Sequence, residues 1–158
     1  MQAKVLVSAC LLGELVRYDG GHNLQQHPLL AQLREQQRLV PFCPECAGGL
    51  QTPRPPAEQQ GERVLTINGD DVTAAFQSGA ELALQTAKAQ SVVMAILKAR
   101  SPSCGVAQIY DGSFSKTLID GEGVTAARLQ AAGIVTFSEL QLLQASQWLA
   151  VYDASCEL

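Results

Sequence analysis

The chain has 158 residues, 47% of them hydrophobic and 16% charged, with a net charge of −4. That length suits one domain spanning residues 1–158, able to bury roughly 68–70% of the surface its unfolded form exposes, so a core forms without disulfide staples. The negative balance argues against nucleic acid or an anionic membrane held by charge, and the apolar content argues against disorder.

In chain order, residues 4–9 are apolar and β-branched and predict a strand buried on both faces. Their continuation Val7-Ser8-Ala9-Cys10 resembles the box before a lipidated cysteine, but the apolar run is shorter than the ~7–15 residues of a secretory signal. No run reaches the ~20 apolar residues of a membrane span, and the chain reads as cytoplasmic. Asp19-Gly20-Gly21 marks a loop. His27-Pro28 opens a helix carrying Leu29, Leu30 and Leu33 at helical spacing. Residues 38–42 form a second strand, stopped at Cys43-Pro44-Glu45.

Residues 47–61, with Gly48-Gly49, Pro53, Pro55 and Pro56, read as loop, and no helix is expected at Cys43 because two glycines follow so soon. Residues 63–67 predict a short strand, Asn68-Gly69-Asp70 a turn, and residues 73–89 a helix capped by Asp71 or Thr73. Phe76, Ala80, Ala83, Leu84 and Ala87 share one face of that helix. Residues 91–97 make the strongest strand, leading into Arg100-Ser101-Pro102-Ser103-Cys104-Gly105. A hairpin edge surrounds Asp111-Gly112. Residues 124–132 form a helix closed by Gly133, residues 134–137 a late strand, and Ser138 with Gln141 a capping box for a final helix to about Ala150.

Strands alternating with helices predict an α/β fold with a mostly parallel sheet flanked by helices, Rossmann-like in character. Such sheets bind ligands beyond the carboxyl ends of their strands, where strand order reverses. That rule bears on five cysteines: Cys10, Cys43, Cys46, Cys104 and Cys156. An odd count in a reducing compartment argues against a disulfide framework. Cys10 follows the first strand, Cys43 ends the second, and Cys104 lies past the strongest one, each flanked by turn formers.

Several chemistries fit thiols so placed. Cys43-Pro44-Glu45-Cys46 matches the C-x-x-C of thiol redox proteins, and Cys10, Cys43, Cys46 and Cys104 are enough ligands for zinc. An iron–sulfur cluster held by three thiolates fits loops that approach from separate strands, and leaves one iron open as a Lewis acid. A cluster that only carries or senses remains the non-catalytic alternative. Cys156 reads as a simple terminal thiol.

Seven segments together resemble the bacterial thiouracil desulfidase family, long catalogued as a domain of unknown function. They are Ser8-Ala9-Cys10-Leu11-Leu12-Gly13, Arg17-Tyr18-Asp19-Gly20, Cys43-Pro44-Glu45, Gly48-Gly49-Leu50, Thr52-Pro53-Arg54-Pro55-Pro56, Ser101-Pro102-Ser103-Cys104-Gly105 and Gly121-Glu122-Gly123-Val124-Thr125. The likeness runs from residue 5 to about 139. It implies a [4Fe-4S] cluster on Cys10, Cys43 and Cys104, removal of sulfur from a thiolated pyrimidine such as 2-thiouracil without net redox change, Glu45 as acid and base, and Ser101 as a polar group beside the substrate. Cys46 departs from the pattern, where an aliphatic residue is expected.

Gly121-Glu122-Gly123-Val124-Thr125-Ala126 also fits the dinucleotide pattern G-x-G-x-x-A, though without a good strand before it. Its helix start is a candidate donor to a substrate carbonyl. Arg17, Arg54 and Lys98 are candidate anion or substrate contacts but are expected mainly at the solvated surface, and His22 and His27 are assigned no role. Oligomeric state is not legible.

Overall fold

A computed structural model describes residues 2–157. Four parallel strands form the central sheet: β1 (Lys4–Ser8), β2 (Leu39–Phe42), β5 (Val92–Leu97) and β8 (Val135–Ser138), in the order β2-β1-β5-β8. Pro41 is tolerated within β2 because β2 is an edge strand. Two antiparallel hairpins lie outside the sheet. One pairs β3 (Ala57–Gln60) with β4 (Arg63–Thr66), the other β6 (Gln108–Tyr110) with β7 (Leu118–Asp120).

The apolar runs of β1 and β5 are buried on both faces because helices cover both. Val5, Val7, Met94 and Ile96 point to one side, against α1 (Pro28–Glu35) and α5 (Leu142–Cys156) through Leu29, Leu30, Leu33, Leu142, Ala145 and Leu149. Leu6, Ala95 and Leu97 point to the other, against Leu84 and Ala87 of α3 (Thr73–Ala89) and Ala126 and Leu129 of α4 (Val124–Ala131). The α3 bounds and buried face match the helical spacing seen in the sequence. So does the Ser138–Gln141 capping box, although α5 runs on to Cys156 rather than stopping near Ala150.

Two expectations are corrected. Residues 57–60 are strand rather than loop, paired to β4 as a polar hairpin arm. A single helical turn, α2 (Pro44–Ala47), does follow Cys43, with Pro44 preset for its first position. Gly48 does not break it but brings it close to α3. A Cβ at Gly48 would meet the carbonyl of Ala75, and one at Gly79 the carbonyl of Pro44. The chain leaves β1 for β2 on one side and returns across it to β5 on the other, so strand order reverses between β1 and β5. No helix among the described residues is long and apolar enough to cross a membrane.

Candidate active site

At the carboxyl end of this switch point three loops surround a cavity of about 520 Å³. Cys10 lies in the 3-10 turn Ala9–Leu12 that follows β1, which ends at Gly13 in left-handed backbone (φ +91°). Cys43 sits in extended backbone between β2 and α2. Ser101 and Cys104 come from the loop after β5. Cys10, Cys43, Cys104, Glu45 and Ser101 all line the cavity, whereas Cys46 and Cys156 do not. Tyr18, Phe42, Tyr110 and Phe114 supply aromatic wall. All five cysteines are free thiols.

Each loop is held by its own backbone chemistry. The Ser101 Oγ accepts from the backbone N–H groups of Ser103 (3.1 Å) and Cys104 (3.0 Å), a local turn that fixes the Cys104 thiol. Its own hydroxyl proton has no acceptor among the described residues. The start of α4 is committed to the same loop: Val124 N–H donates to Pro102 O, and Thr125 and Ala126 N–H to Ser103 O. A buried Ser103–Thr125 hydroxyl pair at 2.8 Å completes the joint. These amides are therefore unavailable to a substrate, and the G-x-G-x-x-A segment serves loop packing. A Cβ at Gly123 would strike Ser103. The expectation of a donor to a substrate carbonyl at that helix start is overturned.

Around Cys10, the Asn23 N–H donates to the Cys10 carbonyl at 2.8 Å while its Oδ1 accepts from Arg17 Nη1 at 2.8 Å. Arg17 also pairs with Asp19 at 3.0 Å and stands over the Tyr18 ring, so the Arg17-Tyr18-Asp19-Gly20 segment braces this loop. Above the cavity, buried Glu58 accepts from the N–H groups of Gly112 (3.0 Å) and Phe114 (3.1 Å). Three cavity residues, Arg100 (φ +67°), Phe114 (φ +56°) and Lys116 (φ +61°), hold left-handed backbone, which costs a non-glycine residue on the order of 1–3 kcal/mol. Gln37, Ser91 and Ala107 hold the same backbone away from the cavity, so half of these positions fall on its walls.

Burial dominates the electrostatics. It pushes the Cys104 thiol up to about 12, with a Ser8 hydroxyl contact opposing and the nearby Glu45, Cys10 and Cys43 adding to the rise. Cys43 and Cys10 are raised by the same cause, Cys10 relieved in part by Asn23. Burial also raises Glu45 above the usual carboxylate range, against the pull of the Arg54 guanidinium. Arg54 Nε lies 3.5 Å from Glu45 Oε1.

One of the three cations expected mainly at the surface is buried. Arg54 is only 7% exposed and so is not a solvated surface cation, whereas Lys98, paired with Glu139 at 2.8 Å, is partly exposed. Arg17 is partly exposed, as expected. Ser8, Asn23 and Glu58 escaped notice as site residues. Only Ser8 carried a signal, its position at the end of the first strand.

A family model described as 2-thiouracil desulfurase matches residues 5–141. The chain belongs to the 2-thiouracil desulfurase family. A solved structure, the [4Fe-4S]-dependent thiouracil desulfidase TudS, is 51% identical over 95% of this chain and 99% of that one, with a TM-score of 0.93. The uncharacterized protein YbbK of Bacillus subtilis (strain 168) is 40% identical over 148 residues, 87% of this chain and 97% of that protein. The seven-segment resemblance thus rests on a shared family and a shared α/β fold.

For this member of the 2-thiouracil desulfurase family, the donor set tests what the cavity can hold. Its three thiols come from three separate strand ends, and soft thiolates select thiophilic centres such as iron–sulfur clusters. Among the described residues, no three His, Cys, Asp or Glu side chains are set to share a single metal ion. Cys10, Cys43 and Cys104 share the lining of one cavity of about 520 Å³, a volume that suits a polynuclear core.

Proposed function

We propose that this chain hydrolyses the carbon–sulfur bond of a thiolated pyrimidine, 2-thiouracil first, to give uracil and sulfide with no net redox change. The observation that carries the reading is the meeting of Cys10, Cys43 and Cys104 with Glu45 and Ser101 on one cavity at the switch point. Family membership supports it, as does the likeness to a [4Fe-4S]-dependent thiouracil desulfidase.

Cys10, Cys43 and Cys104 would hold a [4Fe-4S] cluster, which when bound supplies an iron lacking a protein thiolate, a soft Lewis acid for a thiocarbonyl sulfur. Glu45 is two residues from Cys43 and faces the same cavity, so its carboxylate is placed to take a proton from attacking water and return it to the departing sulfur. One water enters, its oxygen becomes the new carbonyl oxygen, and both its protons leave with sulfur. The Ser101 hydroxyl, whose oxygen already accepts two backbone bonds, keeps its proton to donate to the water or the ring. Tyr18, Phe42, Tyr110 and Phe114 offer aromatic surface to a planar ring and exclude bulk water. Five free thiols suit the reducing cytoplasm as the working compartment.

The test is anaerobic incubation of the purified, cluster-loaded protein with 2-thiouracil. The expected result is uracil and sulfide in equal amounts. A loaded protein that forms neither overturns the reading and leaves a cluster carrier.

A further inference from the structure

Arg54 is the least finished polar side chain at the site. Its backbone N–H donates to Tyr18 O at 2.6 Å. Its Nη2 donates to Val16 O at 2.9 Å, and Nη1 to Thr52 Oγ1 at 3.0 Å and Gln51 O at 3.1 Å. Nη1 also touches the Cys46 sulfur at 3.9 Å. These bonds tie the guanidinium to the loop after β1 and to its own segment, fixing the plane of the fork.

Nε is the exception. It is fully buried and has no hydrogen-bond partner among the described residues, while the whole side chain is 7% exposed. The acidic oxygen it faces is Glu45 Oε1 at 3.5 Å, beyond the usual N–H···O range of 2.7–3.2 Å. The side-chain bonds that brace the loops all use the Nη atoms, so Nε is not needed for them. A rigid donor with one free edge, aimed at one oxygen of the proposed proton carrier, is suited to orienting that carrier.

We infer that Arg54 is a positioning residue for Glu45: its spare Nε–H closes on Oε1 when substrate fills the cavity, leaving Oε2 as the oxygen that meets water and sulfur. Expulsion of water on filling strengthens such a pair and draws it in. The inference rests on the proposed role of Glu45 in proton transfer. Arg54 acts through that carboxylate and does not itself touch the substrate.

A double-mutant cycle on the anaerobically loaded enzyme tests it, with Arg54→Lys, Glu45→Gln and the combination compared for kcat, KM, uracil affinity by calorimetry, and iron and acid-labile sulfide content. Arg54→Lys keeps the charge but removes the Nε–H and the fork. The expected result is a fall in kcat of about 10²-fold, the scale of a ~1 Å misplacement, with KM, uracil affinity and cluster content unchanged. In the Glu45→Gln background the same substitution should alter kcat by less than about twofold, since strongly coupled residues do not add. Equal losses in both backgrounds, or a raised KM with kcat kept, overturn the inference. If Arg54→Lys fails to hold the cluster, Thr52→Val, which removes one Nη1 acceptor, is read in the same cycle. It should lower kcat several-fold when Glu45 is present and leave it unchanged in the Glu45→Gln background; additivity there overturns the inference. A wild type that forms no sulfide from 2-thiouracil instead overturns the functional reading, a result distinct from either.

Discussion

Two arginines lie buried near opposite ends of the same sheet. Arg38, before β2 at the amino end, is 2% exposed and uses every guanidinium nitrogen. Its Nε donates to Ala3 O at 2.7 Å, Nη1 to Gln36 Oε1 and Asp153 Oδ2, and Nη2 to Asp153 Oδ1 at 2.9 Å. Arg54, at the carboxyl end, leaves Nε unpartnered and lines the same cavity as Cys43, a thiol that burial makes reluctant to ionise. The amino end is satisfied within the chain, joining β1, β2 and α5. The carboxyl end is arranged with donors, thiols and strained backbone that the chain alone does not satisfy. A buried charge is thus informative through what it lacks: saturation indicates architecture, and a spare edge beside a cavity indicates a ligand or a reacting group.

That contrast can be broken at either end. The largest effect is expected at the cavity, where Glu45→Gln should lower kcat by about 10²–10⁴-fold, the range for losing general acid–base assistance, with iron content unchanged. Steady-state sulfide release with iron analysis checks it, and turnover near the wild-type rate would remove Glu45 from the chemistry. At the other end Asp153→Ala strands the Arg38 charge and should cost roughly 3 kcal/mol of stability, about 6–12 °C in Tm. Thermal unfolding checks the loss, and kcat at low temperature should be unchanged. The smallest effect is expected at the roof. Glu58→Ala frees the N–H groups of Gly112 and Phe114, and at about 1–2 kcal/mol should speed their amide hydrogen exchange before it affects the rest of the chain.

Much of this fold was legible because its signals are strong and local. The apolar runs of β1 and β5 required cover on both faces, and the α3 pattern gave its bounds and its buried side, although Val72 and not Asp71 or Thr73 stands at its cap. Strand ends then pointed to Cys10, Cys43 and Cys104 as neighbours in space, and they do line one cavity. What was illegible depended on long-range contact. The Ala57–Gln60 arm has no alternation, and becomes a strand through pairing with β4. Gly48 resembles a helix breaker until Ala75 of α3 is brought against it. Arg54 reads as a surface cation until the loop after β1 folds over it. The α4 amides look free until the Ser101–Gly105 loop occupies them.

The central claim is that three strand-end thiols, and not the neighbouring Cys46, hold the cluster. Iron and acid-labile sulfide content of anaerobically reconstituted single Cys→Ala variants tests it most directly. Wild type, Cys46→Ala and Cys156→Ala should each carry a full [4Fe-4S] complement and the accompanying visible absorption, while Cys10→Ala, Cys43→Ala and Cys104→Ala should lose both. A Cys46→Ala protein that cannot hold iron, or a Cys43→Ala protein that keeps its full complement, would contradict it.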